Sequence, residues 1–316
     1  MDWSSEELNP KTLDIDTLPT MGVLRLISDE DALVADAVRA ELPAIAVVVE
    51  GAVEALSSGG RLIYVGAGTS GRLGVLDAAE CLPTYGVDRE QVVAVLAGGA
   101  EAIASAIENA EDDSEAGALA MRALDVCAAD LVLGIASSGR TPYVVGALRQ
   151  ARMLGAATAA LVGNREGPVA AAAQSVIAPR TGPEAITGST RMKAGTAQKM
   201  VLNMISTAAM IRLGRTYGNL MVDMKPTNDK LRDRSTRIVA AAARVDQEAA
   251  RCALADANFE IKTAIVALTM KESSDRARSR LDRAGGVVRR ALEERATGQG
   301  PTLSAYDSRS PEVDWA

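Results

Sequence analysis

The stretch YVGAGTSGRLG, residues 64 to 74, decides the fold of this chain. Gly66, Gly68 and Gly71 have the G-x-G-x-x-G spacing. An apolar run at residues 62 to 65 precedes them, and a helical pattern follows. Glycine-rich turns between a strand and a helix point backbone N–H groups at a bound anion, commonly a phosphate. The stretch therefore predicts a phosphate-binding turn, without indicating which phosphate compound binds.

Further short apolar runs follow along the chain, and helical patterns separate them. Strands that alternate with helices build a doubly wound α/β domain with a parallel sheet. Ligands of such sheets bind at the carboxyl ends of the strands, where the glycine-rich turn lies. The sequence predicts a five-stranded sheet with strands at residues 62–65, 92–96, 131–135, 159–162 and 175–177.

The hydrophobic patterns also predict how the 316 residues divide into domains. Amino-terminal helices at 1–58 are expected to pack on the α/β core at 59–227. Residues 228–296 are rich in Ala and Arg and helical throughout, which predicts a small carboxy-terminal helical subdomain. Residues 297–316 have no periodicity, so we expect a disordered tail.

The composition argues against several classes of protein. A net charge of -7 disfavours nucleic-acid binding, which needs clustered basic charge. No apolar run reaches the roughly 20 residues that cross a bilayer. The first ten residues, MDWSSEELNP, are acidic and polar, unlike a signal peptide. We expect a soluble cytoplasmic protein with neither nucleic acid nor membrane as a partner.

Two residue types limit the chemistry. Cys81, Cys127 and Cys252 form no C-x-x-C pair, so neither a zinc site nor a disulfide framework is predicted. The chain contains no histidine, the commonest general acid or base. If the protein is an enzyme, carboxylates are therefore the first candidates for proton transfer.

A second glycine-serine stretch, GIASSGRTPYV at residues 134 to 144, repeats the S-G-R tripeptide of the first. In the first stretch Thr69, Ser70 and Gly71 are the candidate ligand-binding residues. In the second stretch the candidates are Ser137, Ser138, Gly139 and Thr141, and Thr141 is a good N-cap for a helix that begins at a proline. A single such turn is more often a tight connection with an ordinary cap. Two turns on neighbouring strands favour an anion site.

The nucleotide alternatives are weaker than a sugar phosphate. A dinucleotide fold needs an acidic residue at the end of its second strand, but that strand ends in Ala-Gly-Gly-Ala and Glu90 precedes it. The lysine of the Walker motif is also missing. Turns rich in hydroxyl groups better fit a sugar phosphate, whose monoester has three oxygens to bind.

Three longer blocks resemble a known family. GAGTSGRLGVLDAAECLPTYG (66–86), GIASSGRTPYV (134–144) and TGSTRMKAGTAQKMVLNMIST (187–207) are similar to the N-acetylmuramic acid 6-phosphate etherases of the sugar isomerase domain superfamily. A fourth block, NLMVDMKPTNDKLRDRS (219–235), extends the likeness, which runs from about residue 9 to residue 292. The departures are Leu82 for the usual proline, Ser137 for a common alanine, and a long tail.

The resemblance implies cleavage of a lactyl ether at C3 of a 2-acetamido sugar 6-phosphate, without a redox cofactor, metal or nucleotide. The family's acid/base glutamates carry over to Glu80 and Glu111. By resemblance Glu80 protonates the leaving lactate and Glu111 takes the C2 proton. Glu80 follows an Ala-rich apolar segment where an unpaired carboxylate is costly, which favours a functional role. Glu111 belongs to an acidic run that by itself predicts a solvated helix face.

The spacing of these residues raises the question of a second subunit. Glu80 follows Ser70 by ten residues, roughly 15 Å along one straight helix. A homodimer whose active site draws residues from both chains, as the superfamily suggests, would resolve this distance. Lys230 and Arg234, four residues apart, are candidates for binding the phosphate or the lactyl carboxylate. An exposed basic patch explains this pair equally well.

Two other functions share the predicted sugar-phosphate site. An aldose-ketose isomerase would have similar turns, but many such enzymes open the sugar ring with histidine, which this chain lacks. A non-catalytic regulator similar to the glucokinase regulatory protein would bind a sugar phosphate without converting it. The length of one domain and the presence of both glutamates disfavour the regulator.

Overall fold

The computed structural model describes residues 7–105, 107–226 and 228–293. The predicted disordered tail, residues 297–316, lies outside these described residues. The chain divides between Thr216 and Tyr217 into two compact units. The division falls before residue 228 because the residues that follow Thr216, among them Val222 and Met224, pack into the core of the second unit.

The first unit contains the predicted sheet of five parallel strands, in the order β2-β1-β3-β4-β5. The strands β1 and β3 are buried along their whole length, as expected for strands covered on both faces. Each strand forms where the sequence places an apolar run. The strands are β1 (Leu62–Gly66), β2 (Val92–Leu96), β3 (Leu131–Ala136), β4 (Ala157–Val162) and β5 (Ser175–Ile177).

Successive side chains of a strand point to opposite faces of the sheet, and helices cover both faces. Tyr64 and Leu133 share a core with α2, α3, α4 and α8, whereas Ile63 and Val132 pack against α5, α6 and α7. The helices are α1 (Thr20–Asp31), α2 (Val34–Ala40), α3 (Leu42–Ser57), α4 (Gly68–Tyr85), α5 (Ser114–Ala123), α6 (Pro142–Met153), α7 (Pro168–Ala172) and α8 (Lys193–Arg212).

The strand order places a switch in winding direction between β1 and β3. The chain leaves β1 for α4 on one face of the sheet and leaves β3 for α6 on the other. A crevice opens at the carboxyl ends of two adjacent strands whose connections diverge in this way. The two glycine-serine turns lie at this crevice, so the fold itself brings them together.

The amino-terminal helices are tied to α8 by a buried charge cluster. Glu30 of α1 binds the Lys193 ammonium at 2.5 Å, and both side chains are almost fully buried. Asn9 donates to the same carboxylate, and Lys11 pairs with its other oxygen. Burial alone would raise the pKa of Glu30, but Lys193, Lys11 and Asn9 together hold that pKa below its ordinary value. The cluster fixes the start of α8 against the first helix.

The described part of the second unit, up to residue 293, is helical apart from a short hairpin. Its core forms around α11, which packs against α9, α10, α12 and α13. The predicted carboxy-terminal helical region is therefore present. In the described residues, a helix with the length and apolarity of a membrane span is not found. The elements are β6 (Thr216–Tyr217), β7 (Leu220–Met221), α9 (Asp229–Ala243), α10 (Gln247–Asp256), α11 (Ile261–Met270), α12 (Ser274–Arg283) and α13 (Val288–Glu293).

An ion pair between a partly buried arginine and a buried carboxylate joins the amino-terminal ends of the two central strands. Arg61, just before β1, binds both oxygens of Asp130, just before β3, and the shortest contact is 2.6 Å. The N–H of Cys127 donates to the same carboxylate. Burial alone would raise the pKa of Asp130, but the bonds from Arg61 and Cys127 outweigh it and lower that pKa below its ordinary value.

Replacing Asp130 by Asn should lower the free energy of unfolding at pH 7 by about 2 to 3 kcal/mol, the cost of losing charged hydrogen bonds in a buried site. A carboxyl with a lowered folded-state pKa stabilises the fold above its unfolded pKa, ordinarily 3.8, and loses this effect as the pH falls. The difference between wild type and Asp130→Asn should therefore narrow below pH 4. Urea unfolding of both proteins at pH 7 and pH 3 measures this difference.

The exposed pair of Glu115 with Arg122 supplies the control. Glu115→Gln should change the free energy of unfolding by less than about 1 kcal/mol at either pH. A constant difference between wild type and Asp130→Asn from pH 7 to pH 3 would contradict the role given to the Asp130 carboxylate.

Candidate active site

The first glycine-serine turn becomes the first turn of a helix. Because α4 begins at Gly68, the residues Thr69, Ser70 and Gly71 lie at its amino terminus. A Cβ atom on Gly71 would stand 2.7 Å from the backbone carbonyl oxygen of Gly66 at the end of β1, so only glycine lets the helix start this close to the sheet. The N-cap makes no side-chain hydrogen bond, and N–H groups of a first helical turn have no partner within the helix.

The second turn has the same construction. The helix α6 begins at the proline after Thr141, which stands at the predicted N-cap position. The Thr141 side chain, however, forms no capping hydrogen bond, unlike the N-cap Asp113 of α5. Gly139 has φ +69, a left-handed conformation that glycine adopts without strain. The Ser138 hydroxyl accepts the N–H of Arg140. Like α4, α6 starts without a capping side chain.

A glutamine on α8 joins the two turns. The Ser70 hydroxyl donates to the side-chain oxygen of Gln198 at 2.9 Å, and the Gln198 amide nitrogen donates to the Ser137 hydroxyl at 3.0 Å. The two serine oxygens are 3.5 Å apart. The methyl group of Thr69 also lies beside α8, since a Cβ on Gly195 would meet it at 3.6 Å. The structure thus brings residues of both predicted turns into one cluster.

The sequence interpretation missed Gln198, although its position carries a signal. Gln198 is almost fully buried and lies on the same face of α8 as Val201, Leu202 and Ile205. An amide within an apolar helical stripe needs a hydrogen-bond partner, because burying it without one is costly. The partners are the two serines, which the sequence places more than 60 residues away.

The start of α8 is occupied by a side chain of the protein. The carboxylate of Glu184, which is fully buried, accepts the N–H groups of Lys193 and Ala194 at 2.9 and 3.0 Å. Burial raises the pKa of Glu184 above its ordinary value, against the opposing effect of these two N–H groups. α8 already has a carboxylate at its amino terminus, and α6 begins at a proline whose next N–H, of Tyr143, donates to the Glu111 carbonyl. Of these three helices, α4 is therefore the one whose first turn can receive an anion here.

Glu80 lies ten residues after Ser70 on α4, which is one helix across both positions, as expected. The prediction that the Glu80 carboxylate lies in apolar surroundings is wrong, because Glu80 is exposed in the single chain. Its neighbours Asp77 and Cys81 face the core, so the helical turn directs Glu80 away from the sheet. Burial, followed by the charge of Asp77, raises the pKa of the Cys81 thiol to about 12.

A buried carboxylate fixes the orientation of α4. Asp77 accepts hydrogen bonds from Tyr64 of β1 and from Asn203 and Ser206 of α8, at 2.6 to 3.1 Å. Burial, and then the charge of Asp77, raises the pKa of Tyr64 well above its ordinary value, so this tyrosine stays a hydrogen-bond donor. Asp77 precedes Glu80 by one helical turn. The network therefore sets the direction in which Glu80 leaves the helix.

Glu111 is exposed and lies in the turns that precede α5. Its backbone carbonyl accepts the N–H of Tyr143 in the first turn of α6, at 3.0 Å. Glu111 is therefore held next to the second glycine-serine turn. Lys230 and Arg234 belong to α9 of the second unit, so their assignment to the substrate stays a prediction.

Two family models match the first unit. The model described as the SIS domain matches residues 99–208, which include the second turn and Gln198. The model described as the glucokinase regulatory protein N-terminal SIS domain matches residues 44–152, which include both turns.

Curated proteins match over most of the chain. Proteins named N-acetylmuramic acid 6-phosphate etherase from Yersinia pestis (strain Pestoides F) and Yersinia pseudotuberculosis serotype O:1b (strain IP 31758) are each 54% identical over 288 residues, 91% of this chain and 98% of the relative. Among solved structures, a phosphoheptose isomerase from Francisella tularensis matches with a TM-score of 0.46 and 19% identity, over 61% of this chain and 98% of that one.

The bridge between the two serines predicts a selective effect on phosphate binding. Gln198→Leu keeps the volume of the side chain but removes both hydrogen bonds, so the two turns lose their common anchor. Affinity for a hexose 6-phosphate should fall by about tenfold, the equivalent of one or two hydrogen bonds, whereas any binding of the free hexose should not change. Titration calorimetry measures both. Gln150→Leu on α6 is the matched control and should not change either affinity. Equal affinities of wild type and Gln198→Leu for the hexose 6-phosphate would refute a role of the bridge in phosphate binding.

Proposed function

This chain belongs to the N-acetylmuramic acid 6-phosphate etherase family, and we propose that it is a carbon-oxygen lyase acting on N-acetylmuramic acid 6-phosphate. It cleaves the D-lactyl ether and yields N-acetylglucosamine 6-phosphate and D-lactate. The observation that carries the proposal is 54% identity to etherases across 98% of their length, including both glycine-serine turns.

The chemistry fits a site without histidine. In the open-chain sugar, C2 lies next to the aldehyde, so its proton is acidic. A base removes that proton, the C3–O bond breaks, and an acid protonates the departing lactate oxygen. Water then adds across the double bond, placing a hydroxyl on C3 and hydrogen on C2. Two carboxyl groups with separate duties suffice for these proton transfers.

The crevice between β1 and β3 is the proposed binding site for the 6-phosphate. The start of α4 offers N–H groups without a capping side chain, and helix amino termini favour anions. The second turn offers the hydroxyl groups of its serines and threonine instead, because α6 begins at a proline and the N–H of Tyr143 donates to the Glu111 carbonyl. Thr69, Ser70 and Gly71 face this crevice from one side in the proposal. Ser137, Ser138, Gly139 and Thr141 are assigned to the other side; the hydrogen bonds of Gln198 to Ser70 and Ser137 support a single site.

Glu80 and Glu111 are the proposed acid and base. Glu111 is held beside the second turn through its bond to Tyr143, which supports its assignment to the C2 proton. Glu80 is exposed and roughly 15 Å along α4 from Ser70, too far for one hexose phosphate to reach both. We therefore assign to each site the Glu80 of the partner subunit in a homodimer.

An apolar groove on the first unit supports the homodimer. It lies between α3 and α8, has a volume of about 660 Å³, and is lined by Leu42, Val49, Met200 and Met204 among others. Leu42 and the nearby Ile211 are about half exposed in the single chain. A second copy of this chain would cover these side chains. Lys230 and Arg234 remain the proposed cations for the phosphate or the lactyl carboxylate.

The cellular role follows from the substrate. Muramic acid derivatives come from peptidoglycan, so the proposed reaction serves recycling of the cell wall or catabolism of amino sugars. A phosphate ester does not cross a membrane unaided, and we therefore propose that the enzyme works in the cytoplasm, where the ester is formed.

Incubation with N-acetylmuramic acid 6-phosphate should release D-lactate, which an enzymatic lactate assay detects. Unphosphorylated N-acetylmuramic acid should be a poor substrate, because the proposed site binds the phosphate. Ser138→Leu should raise the KM for the phosphorylated sugar by about tenfold or more, since a bulky apolar group replaces a hydroxyl at the anion. Binding without lactate release would favour a regulator, which the match at residues 44–152 would also fit. Ketose formation would favour an isomerase.

The two glutamates should give different isotope patterns. Glu80→Gln should lose lactate release by about 10² or more, the scale of general acid catalysis, but should still exchange the C2 hydrogen of intact substrate in deuterated water. Glu111→Gln should lose both reactions. Mass spectrometry of substrate and product measures the exchange. Lactate released without C2 exchange would show that the carboxylate assignment is wrong.

Mixing the two inactive variants tests the shared site. After subunit exchange, a mixed dimer of Glu80→Gln and Glu111→Gln contains one site with both glutamates intact, so part of the lactate activity should return. Each variant incubated alone is the control. If mixing restores no activity although native mass spectrometry, with one variant isotope-labelled, shows mixed dimers, Glu80 and Glu111 of one site belong to the same chain.

A further inference from the structure

The arginine of the first S-G-R tripeptide binds the protein instead of pointing at the crevice. The guanidinium of Arg72 donates to the backbone carbonyls of Ala102, Ile103 and Ser105 at 2.9, 3.1 and 3.0 Å. All three acceptors belong to the connection from β2 to α5, described at residues 97–105 and 107–113. Arg72 lies one residue after Gly71, so the turn proposed to bind phosphate also holds this connection.

The β2–α5 connection carries Glu111, and its described residues contain little regular structure apart from one 3₁₀ helix at Ala100–Ile103. Such a segment holds a side chain in position only if other parts of the protein fix it. Ile107, in the middle of the connection, packs over Gly98 near its start. A Cβ atom added to Gly98 would stand 3.0 Å from the Cβ atom of Ile107. At its end, the Glu111 carbonyl accepts from Tyr143, and Asp113 caps α5.

Arg72 is therefore the side chain that fixes the first half of the connection to the first turn. Its planar fork of N–H donors suits several carbonyls at once, which a lysine ammonium on a flexible stem does not reproduce. In the described residues, the hydrogen bonds of the Arg72 guanidinium go to backbone carbonyls. The connection is thus held from both glycine-serine turns, by Arg72 on one side and by Tyr143 on the other.

We propose that Arg72 is a positioning residue for Glu111: by holding the β2–α5 connection, it keeps the Glu111 carboxylate within reach of the C2 proton. The proposal rests on the etherase function and on the base role given to Glu111. A displacement of about 1 Å in a catalytic group can cost 10²-fold in rate. Releasing the connection should therefore slow proton removal while substrate still binds.

The test uses Arg72→Lys in the full-length enzyme, because lysine retains the positive charge beside the first turn. Lactate release should show a kcat lowered by about tenfold or more, with KM within about twofold of wild type. In the Glu80→Gln background, which isolates the first step, exchange of the C2 hydrogen should fall by the same factor. Arg122→Lys, at an exposed arginine of α5, is the matched control and should leave both rates unchanged.

Other roles of Arg72 predict different results. If Arg72 binds the phosphate, Arg72→Lys should raise KM and leave kcat unchanged. If Arg72→Lys exchanges the C2 hydrogen within twofold of the wild-type rate, the hydrogen bonds of Arg72 do not position Glu111. Either result overturns the proposal.

Circular dichroism and thermal unfolding show whether Arg72→Lys is folded. Ile107→Ala releases the same connection at a half-exposed position, and it should lower C2 exchange without a change in KM even if Arg72→Lys does not fold.

The wild type separates this proposal from the proposed function. If the wild type releases no lactate, the etherase function fails and the role of Arg72 fails with it. If the wild type is active and a folded Arg72→Lys exchanges the C2 hydrogen at its rate, the positioning role alone fails.

Discussion

The parallel pairing of β1 with β3 is the constraint on which the rest of the site depends. In this register Gly66 stands beside Ile135, so the two strands end at the same level and release their chains on opposite faces of the sheet. Two short turns then meet in one crevice, and each begins a helix without a capping side chain. The order of the strands supplies the convergence of the two turns.

Buried polar side chains convert this crevice into a defined geometry. Gln198 joins the two serines, Glu184 occupies the start of α8, and Asp77 fixes α4 against β1 and α8. A buried polar group is stable only in the arrangement that satisfies its hydrogen bonds. Each of these residues therefore selects one placement of its helix, whereas apolar packing of small residues such as alanine would tolerate several.

The two candidate carboxylates are held in different ways. Glu80 lies on a long helix whose orientation is set by the buried Asp77 network. Glu111 lies on an irregular connection that depends on Arg72 at one side and Tyr143 at the other. Both are exposed in the single chain.

The sequence alone determined the five strands, the helix starts at the two glycine-serine turns and the helical carboxy-terminal region, because these follow from local apolar runs, glycines and prolines. The resemblance in its motifs also identified the etherase family, to which relatives 54% identical across most of the chain belong. The exposure of Glu80, the bridge through Gln198 and the clamp of Arg72 could not be predicted in the same way. Each depends on contacts between residues 30 to 130 positions apart, and only the tertiary structure decides which distant groups satisfy a buried amide or an arginine fork.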